Sequence, residues 1–183
     1  MRRLKQMRTL IVILFVVATS MTAHAQKVQV GSDPAVDVSK YKTYKWASGT
    51  AVPNPIVSKM IVDTVDEALA AKGLRKVETD PELTVAAVGV IETGMNMDLP
   101  SWSPGQNAIK TPGSSQPVAV SRGTLVVEIS DTKTKNSVWR GSSSQTLERG
   151  PTGDQTKDAK TVAKPIKKAV EKMFKQYPHP DRK

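Results

Sequence analysis

Two segments of the chain carry apolar residues at the spacing of an amphipathic helix. In the first, the apolar positions recur every three or four residues: Val57, Met60, Ile61, Val65, Ala68 and Leu69. Asn54 is a suitable N-cap, Pro55 suits the first helical position, and Gly73 favours a left-handed residue after the end. The second stripe lies near the C-terminus, at Val162, Ile166, Ala169, Val170, Met173 and Phe174. Pro165 predicts that this helix starts near it or kinks there.

Four other segments show the pattern of β-strands. Residues 122–141 predict a hairpin, in which Leu125, Val127 and Ile129 alternate with other residues before a polar turn, and Trp139 lies on the returning strand. Residues 83–91 are apolar on both faces, which is typical of a central or covered strand, and the small Ala86, Ala87 and Gly89 favour close packing of a helix. Residues 41–46 and 27–38 predict shorter strands. We therefore expect an α+β fold: an antiparallel sheet of four to six strands with both helices packed on one face.

Residues 94–119 interrupt this pattern. The segment contains four prolines, several glycines and serines and few charges, and it predicts a long irregular loop. We assign residues 26–178 to a single domain that includes this loop at 94–119, and residues 179–183 to a frayed tail.

The first 25 residues have the features of a secretory signal peptide. A basic start is followed by about nine apolar residues, fewer than the roughly 20 that a membrane-spanning helix needs. The small residues Ala23 and Ala25 predict cleavage between Ala25 and Gln26. The segment holds four basic residues and no acidic one, so the net charge falls from +10 to +6 after cleavage. We expect a periplasmic or secreted protein without a transmembrane anchor after cleavage.

The residue inventory argues against most catalytic chemistry. The chain has no cysteine, and His179 is the only histidine after the predicted cleavage, which disfavours disulfides, Ser–His and Cys–His pairs and multi-histidine metal sites. No phosphate-binding glycine motif is present. Met95, Met97 and Trp102 could contact Cu(I), but loop side chains folded back on the sheet are the preferred interpretation. The sequence predicts no cofactor, no bound metal and no catalytic residue.

Two sets of side chains are candidate binding sites. The last helix carries Lys164, Lys167, Lys168, Lys172 and Lys175. A solvated face is preferred for them over contact with anionic lipid or lipopolysaccharide, and the net charge does not indicate a nucleic-acid partner. Trp46 and Trp139 are expected to be buried rather than to form a sugar-stacking platform.

The chain resembles a bacterial envelope family known as domain of unknown function 4136. The resemblance rests on residues 36–46, on Gly123-Thr124-Leu125 with Asp131, on residues 138–141 and on the terminal Tyr177-Pro178. It implies an α+β envelope domain without an assigned reaction. Many members look like lipoproteins, and this chain departs from that pattern because it lacks a cysteine.

We therefore expect a non-catalytic, exported envelope protein that binds an envelope protein partner or stabilises an assembly. The predicted contact surface is the long loop, through Met97, Trp102 and Ile109, together with the adjoining sheet face. The alternative is an envelope hydrolase or small-ligand-binding protein with a carboxylate site under the 94–119 loop. A closed pocket with two converging acids would favour the enzyme, and a flat apolar patch would favour the partner.

Overall fold

The computed structural model describes residues 26–47, 52–96, 118–147 and 149–178. These residues form an α+β fold with six strands and two α-helices. In chain order the elements are β1 (Lys27–Ser32), β2 (Thr43–Trp46), α1 (Pro55–Ala70), β3 (Arg75–Lys76), β4 (Leu83–Asn96), β5 (Val118–Asp131), β6 (Ser137–Leu147) and α2 (Gln155–Phe174).

The six strands form one sheet in the order β1-β6-β5-β4-β2-β3. The pairs β1–β6, β6–β5 and β5–β4 are antiparallel, whereas β2 runs parallel to both β4 and β3. The sheet is therefore mixed, and the prediction of a fully antiparallel sheet was wrong in this detail. The physical reason is that α1 crosses over between β2 and β3, which returns the chain to the same edge and direction.

Both helices pack on one face of the sheet, as predicted. A Cβ added at Gly89 on β4 would lie 3.5 Å from Ile61 of α1, and one added at Gly141 on β6 would lie 2.9 Å from Met173 of α2. The strand register pairs Gly89 with Leu125 and Gly141 with Val127. Leu125 and Val127 are two residues apart on β5 and so point to the same side of the sheet. We call this side the inner face.

Side-chain caps fix the start of each helix. The Asn54 side chain accepts hydrogen bonds from the backbone N–H groups of Ile56 and Val57, which confirms its predicted role. Asp154 caps α2 in the same way. Gly73 has a φ of +83°, the left-handed conformation expected after α1. Helix α2 begins well before Pro165 and runs through it.

The strands that border the predicted loop are longer than the sequence suggested. β4 continues to Asn96 and β5 begins at Val118, so residues 94–96 and 118–119 belong to a continuous antiparallel pair. Their exchange of backbone hydrogen bonds outweighs the weak strand propensity of Gly94 and Asn96. The predicted contact residues Met97, Trp102 and Ile109 lie outside the described residues.

An aromatic cluster fills one end of the space between helices and sheet. Trp139 is buried, and its ring centroid lies 4.9 Å from that of Phe174 and 5.4 Å from that of Tyr177. Trp139 also covers Gly141, where an added Cβ would lie 2.7 Å from its ring. Position 141 therefore accepts only glycine without movement of the core.

Replacing this glycine should destabilise the fold. For Gly141→Ala we expect the free energy of unfolding to fall by about 1–3 kcal/mol, because the added methyl group overpacks Trp139 and Met173. Gly31→Ala is the control, since nothing lies within 4 Å of its added Cβ. Urea denaturation measures both variants, and equal effects at the two positions would contradict this account.

Candidate functional site

A cavity of about 480 Å³ lies between the inner face of the sheet, the N-terminal half of α1 and residues 158–169 of α2. This volume falls within the range of roughly 300–1,000 Å³ that is typical of small-molecule sites. Aliphatic side chains dominate its wall: Val52, Val57, Ile61, Ile91, Leu125, Leu147, Val162, Ile166 and Ala169. The cavity is the candidate functional site.

The cavity exists because inner-face side chains become smaller along the strands. On β4 the inner positions after Val85 are Ala87 and Gly89. On β5, Leu125 is followed toward the cavity by Gly123, while on β6 the bulky Trp139 is followed by Gly141 and Ser143. The aromatic cluster therefore fills one end of the interior, and the cavity begins at these small residues, with Ile91, Gln145 and Leu147 completing its wall.

Polar residues also line the cavity: Gln26, Asn54, Thr124, Ser143, Gln145 and Asp158. Ser143 is 3% exposed, and its hydroxyl has no hydrogen-bond partner among the described residues. The Gln26 side-chain nitrogen Nε2 donates a hydrogen bond to the Pro165 carbonyl at 3.3 Å. The buried Oε1 of the same side chain accepts no hydrogen bond from the described residues. A buried polar atom without a partner costs free energy, and neither atom has appreciable surface that is accessible from the cavity.

Asp158 is the only acidic residue that lines the cavity in the described part of the chain. Its carboxylate accepts hydrogen bonds from the backbone N–H and hydroxyl of Thr152, both at 2.8 Å, and from the Gly153 backbone N–H. The Thr152 backbone hydrogen bond is the largest cause of a lowered pKa at Asp158. This carboxylate therefore stays ionised and holds the turn before α2. The described wall does not supply the pair of carboxylates that the hydrolase alternative required.

Two other carboxylates, those of Asp66 and Asp131, connect structural elements. Asp66 of α1 accepts hydrogen bonds from Tyr44 and Trp46 of β2, each at 2.7 Å, and forms an ion pair with Lys76. Burial, followed by the hydrogen bond to Asp131, raises the pKa of Tyr41 to about 12. These contacts fix β2 against its neighbours. No group of three or more acidic or histidine side chains suited to a metal ion occurs within the described ranges.

The opposite face of the sheet, which we call the outer face, is exposed. Val88 and Val90 of β4 are 41% and 46% exposed there, so this strand is central but not covered on both sides. Lys164, Lys167, Lys168 and Lys172 of α2 and the C-capping Lys175 are exposed, and contact with an anionic surface stays a prediction. Neither described helix has the length and apolar character needed to cross a bilayer.

The sequence does not predict the cavity. The small residues on β4 were interpreted as allowing close packing of a helix, and Gly89 does have Ile61 and Val52 near it. What was not recognised is that Gly123 and Ser143 occupy the neighbouring inner positions of β5 and β6. Strand register alone brings these residues together, and periodicity within one strand cannot reveal it.

Comparison with known proteins identifies a family. The family model described as "Domain of unknown function (DUF4136)" matches residues 28–179. A search of curated proteins found no match.

One solved structure shares the fold at low sequence identity, and two others are more distantly similar. A PDZ domain protein from Parabacteroides distasonis has a TM-score of 0.54 and 16% identity over 86% of this chain, which spans 36% of that protein. A minor lipoprotein from Acinetobacter baumannii has a TM-score of 0.42 and 10% identity, covering 74% of this chain and 90% of that one. A PelC dodecamer from Paraburkholderia phytofirmans has a TM-score of 0.40 and 14% identity, covering 78% and 98%. The first of these likenesses shows the fold alone.

The absence of a partner for the Ser143 hydroxyl can be tested directly. For Ser143→Ala we expect the free energy of unfolding to stay unchanged or to rise by up to about 1 kcal/mol, because the substitution removes a buried group without a partner. Ser142→Ala, at the next position and on the outer face, controls for strand propensity. A loss of 1 kcal/mol or more beyond that of the control, measured by urea denaturation, would show that the hydroxyl is bonded within the protein.

Proposed function

The chain belongs to the DUF4136 family, and from that premise we propose that it is a non-catalytic protein of the bacterial envelope that binds an apolar ligand. The ligand site is the cavity between α1, α2 and the inner face. The alternative predicted from the sequence was a hydrolase or small-ligand-binding protein with a carboxylate site. The present proposal keeps the binding of a small ligand and makes the site apolar.

One observation carries the proposal: a largely aliphatic cavity of small-molecule size lies between the helices and the inner face. Filling such a space with side chains would stabilise the fold, since empty cavities lose dispersion contacts. An unpaired hydroxyl in its wall adds a further cost. A ligand that fills the cavity would recover the lost dispersion contacts.

The non-catalytic assignment follows from the chemistry of the wall. Catalysis by a carboxylate needs a group that is free to exchange a proton or to attack, whereas three hydrogen bonds from Thr152 and Gly153 occupy Asp158. Export is supported by the basic, apolar and small-residue segments that precede Gln26.

Binding of an uncharged fluorescent probe tests the ligand site. We expect N-phenyl-1-naphthylamine to brighten on binding to the mature protein with one site per chain. Ser143→Leu should abolish this signal by filling the cavity, and Ser142→Leu, on the same strand but the outer face, should retain it. Val57→Trp is a second filling variant at a partly exposed position, in case Ser143→Leu does not fold. Equal probe binding by the filling and control variants would place the binding elsewhere.

Export is tested by the N-terminus of the protein isolated from its own cells. We expect Edman or mass-spectrometric sequencing of the envelope fraction to begin at Gln26, because the signal segment ends at Ala25. Ala25→Tyr, which removes the small residue before the bond, should block cleavage. A cytosolic protein that retains residues 1–25 would contradict this part of the proposal.

Binding of an envelope protein to the outer face is the second candidate, favoured by the exposed Val88 and Val90. A photocrosslinker at position 88 should capture one recurrent envelope protein, and one at the exposed Glu171 of α2 should not. Val90→Lys should suppress that capture by placing a charge in the patch. The same products from positions 88 and 171, or capture that Val90→Lys leaves unchanged, would argue against a specific contact.

A further inference from the structure

The exposed side of α2 carries most of the net positive charge of the chain. Residues 155–175 contain seven lysines and two carboxylates, a net charge of +5, whereas the whole chain has +6 after the predicted cleavage. We call the seven exposed lysines the lysine face: Lys157, Lys160, Lys164, Lys167, Lys168 and Lys172 of α2 and the C-capping Lys175. From this face we infer that the protein docks on the surface of a bilayer that contains anionic phospholipid, with α2 lying against the lipid head groups.

The lysine face follows the helix from end to end. Lys157 and Lys175 are 18 residues apart, which is five turns and a rise of about 27 Å, so they lie on one line along α2. Lys164 and Lys168 lie within about 20° of this line, and the other three lysines flank it. The buried Ile166, which lines the cavity, lies on the opposite side of the helix. The lysine face is therefore separate from the apolar ligand site, and the inference does not depend on that site.

A helix face that is only solvated usually carries charges of both signs, as α1 does here. On α1 the exposed Lys59 forms an ion pair with Asp63 at 2.7 Å, and the exposed Glu67 follows one turn later. On α2, Lys157 pairs with the capping Asp154 at 3.4 Å. The other six lysines of the lysine face make no ion pair with a described residue. The excess of one charge sign distinguishes this face from the solvated face of α1.

The spacing of the lysines adds mutual repulsion. Lys160, Lys164, Lys168 and Lys172 follow one another at intervals of four residues. Like charges at this spacing lie next to each other on a helix and destabilise it. A layer of negative charge beside the helix would offset this repulsion. The charge pattern is therefore complementary to an extended anionic surface.

The type of basic residue favours a lipid surface over a protein or a nucleic acid. Residues 155–175 contain no arginine, and no large apolar side chain of α2 is exposed. Protein interfaces are enriched in arginine and aromatic residues and depleted in lysine, and arginine makes the commonest specific contact with DNA bases. Lysine is a flexible point charge, which suits the diffuse layer of phosphates on a membrane. The contact is therefore electrostatic, without insertion of apolar side chains, and sensitive to salt.

Co-sedimentation of the mature protein with vesicles tests the inference. The vesicles consist of phosphatidylcholine alone or with about a quarter of phosphatidylglycerol. We expect binding to the vesicles that contain phosphatidylglycerol and at least about tenfold weaker binding to phosphatidylcholine alone, because each lysine near an anionic surface contributes to the affinity. Raising the NaCl concentration from 100 mM to 1 M should weaken binding at least about tenfold, because the Debye length falls from about 10 Å to about 3 Å.

Two matched double variants locate the contact. Lys164→Glu combined with Lys168→Glu should weaken binding to phosphatidylglycerol vesicles at least about tenfold, since a single lysine accounts for roughly fivefold. The control is Lys133→Glu combined with Lys135→Glu, at two exposed positions in the turn between β5 and β6. It changes the net charge by the same amount and should weaken binding less than about threefold. Urea denaturation checks that both double variants fold, which we expect because all four positions are exposed.

Four results would overturn the inference. The first is no binding of the wild-type protein to phosphatidylglycerol vesicles at 100 mM NaCl. The second is equal binding to both kinds of vesicle, or binding that 1 M NaCl does not weaken. The third is an equal loss of binding in the two double variants, which would show that net charge alone determines it. The fourth is retention on heparin without binding to vesicles, which would assign the lysine face to a soluble polyanion.

Discussion

The register of the sheet is the constraint on which the rest of the structure depends. Register aligns the inner positions of β4, β5 and β6, so that Gly89, Leu125 and Ser143 form one row and Ala87, Val127 and Gly141 form the next. A slip of one residue in any strand would turn these side chains to the outer face. The cavity lies where Gly89, Gly123 and Ser143 take inner positions, whereas Trp139 fills the end of the interior under the C-terminus of α2. One end of the interior is therefore packed and the other is hollow.

The packed end of the interior stabilises the fold, and the other end holds the cavity. At the packed end, Trp139 lies against Phe174 and Tyr177 and covers Gly141, which leaves no space for a ligand. The charged side chains lie at the edges, where Asp66 joins α1 to β2 and Asp158 holds the turn before α2. The hollow end keeps apolar surface and two unpaired polar atoms. The fold therefore does not depend on filling the cavity, because the aromatic cluster and the edge contacts stabilise it without a ligand.

Much of the fold could be predicted from the sequence, because local signals determine it. The caps at Asn54 and Gly73, the stripe from Val162 to Phe174 and the hairpin around residue 131 all follow from residue type and spacing. The parallel pairing of β2 could not be predicted in this way, since it depends on where α1 returns the chain. The cavity could not be predicted either, because Gly89, Gly123 and Ser143 are far apart in sequence and become neighbours only through strand pairing. The predicted contact residues Met97, Trp102 and Ile109 lie in a segment outside the described residues.

Methyl NMR of the mature protein under xenon pressure tests the central claim most directly, since xenon enters empty apolar cavities irrespective of the natural ligand. The account predicts that the methyl resonances of Ile61, Leu125 and Val162, which line the cavity, shift with xenon pressure. Those of Ile129 and Val138, which are buried but do not line the cavity, should not shift. Shifts of equal size at both sets of methyl groups, or none at the cavity methyl groups, would show that the interior is uniformly packed and would contradict the account.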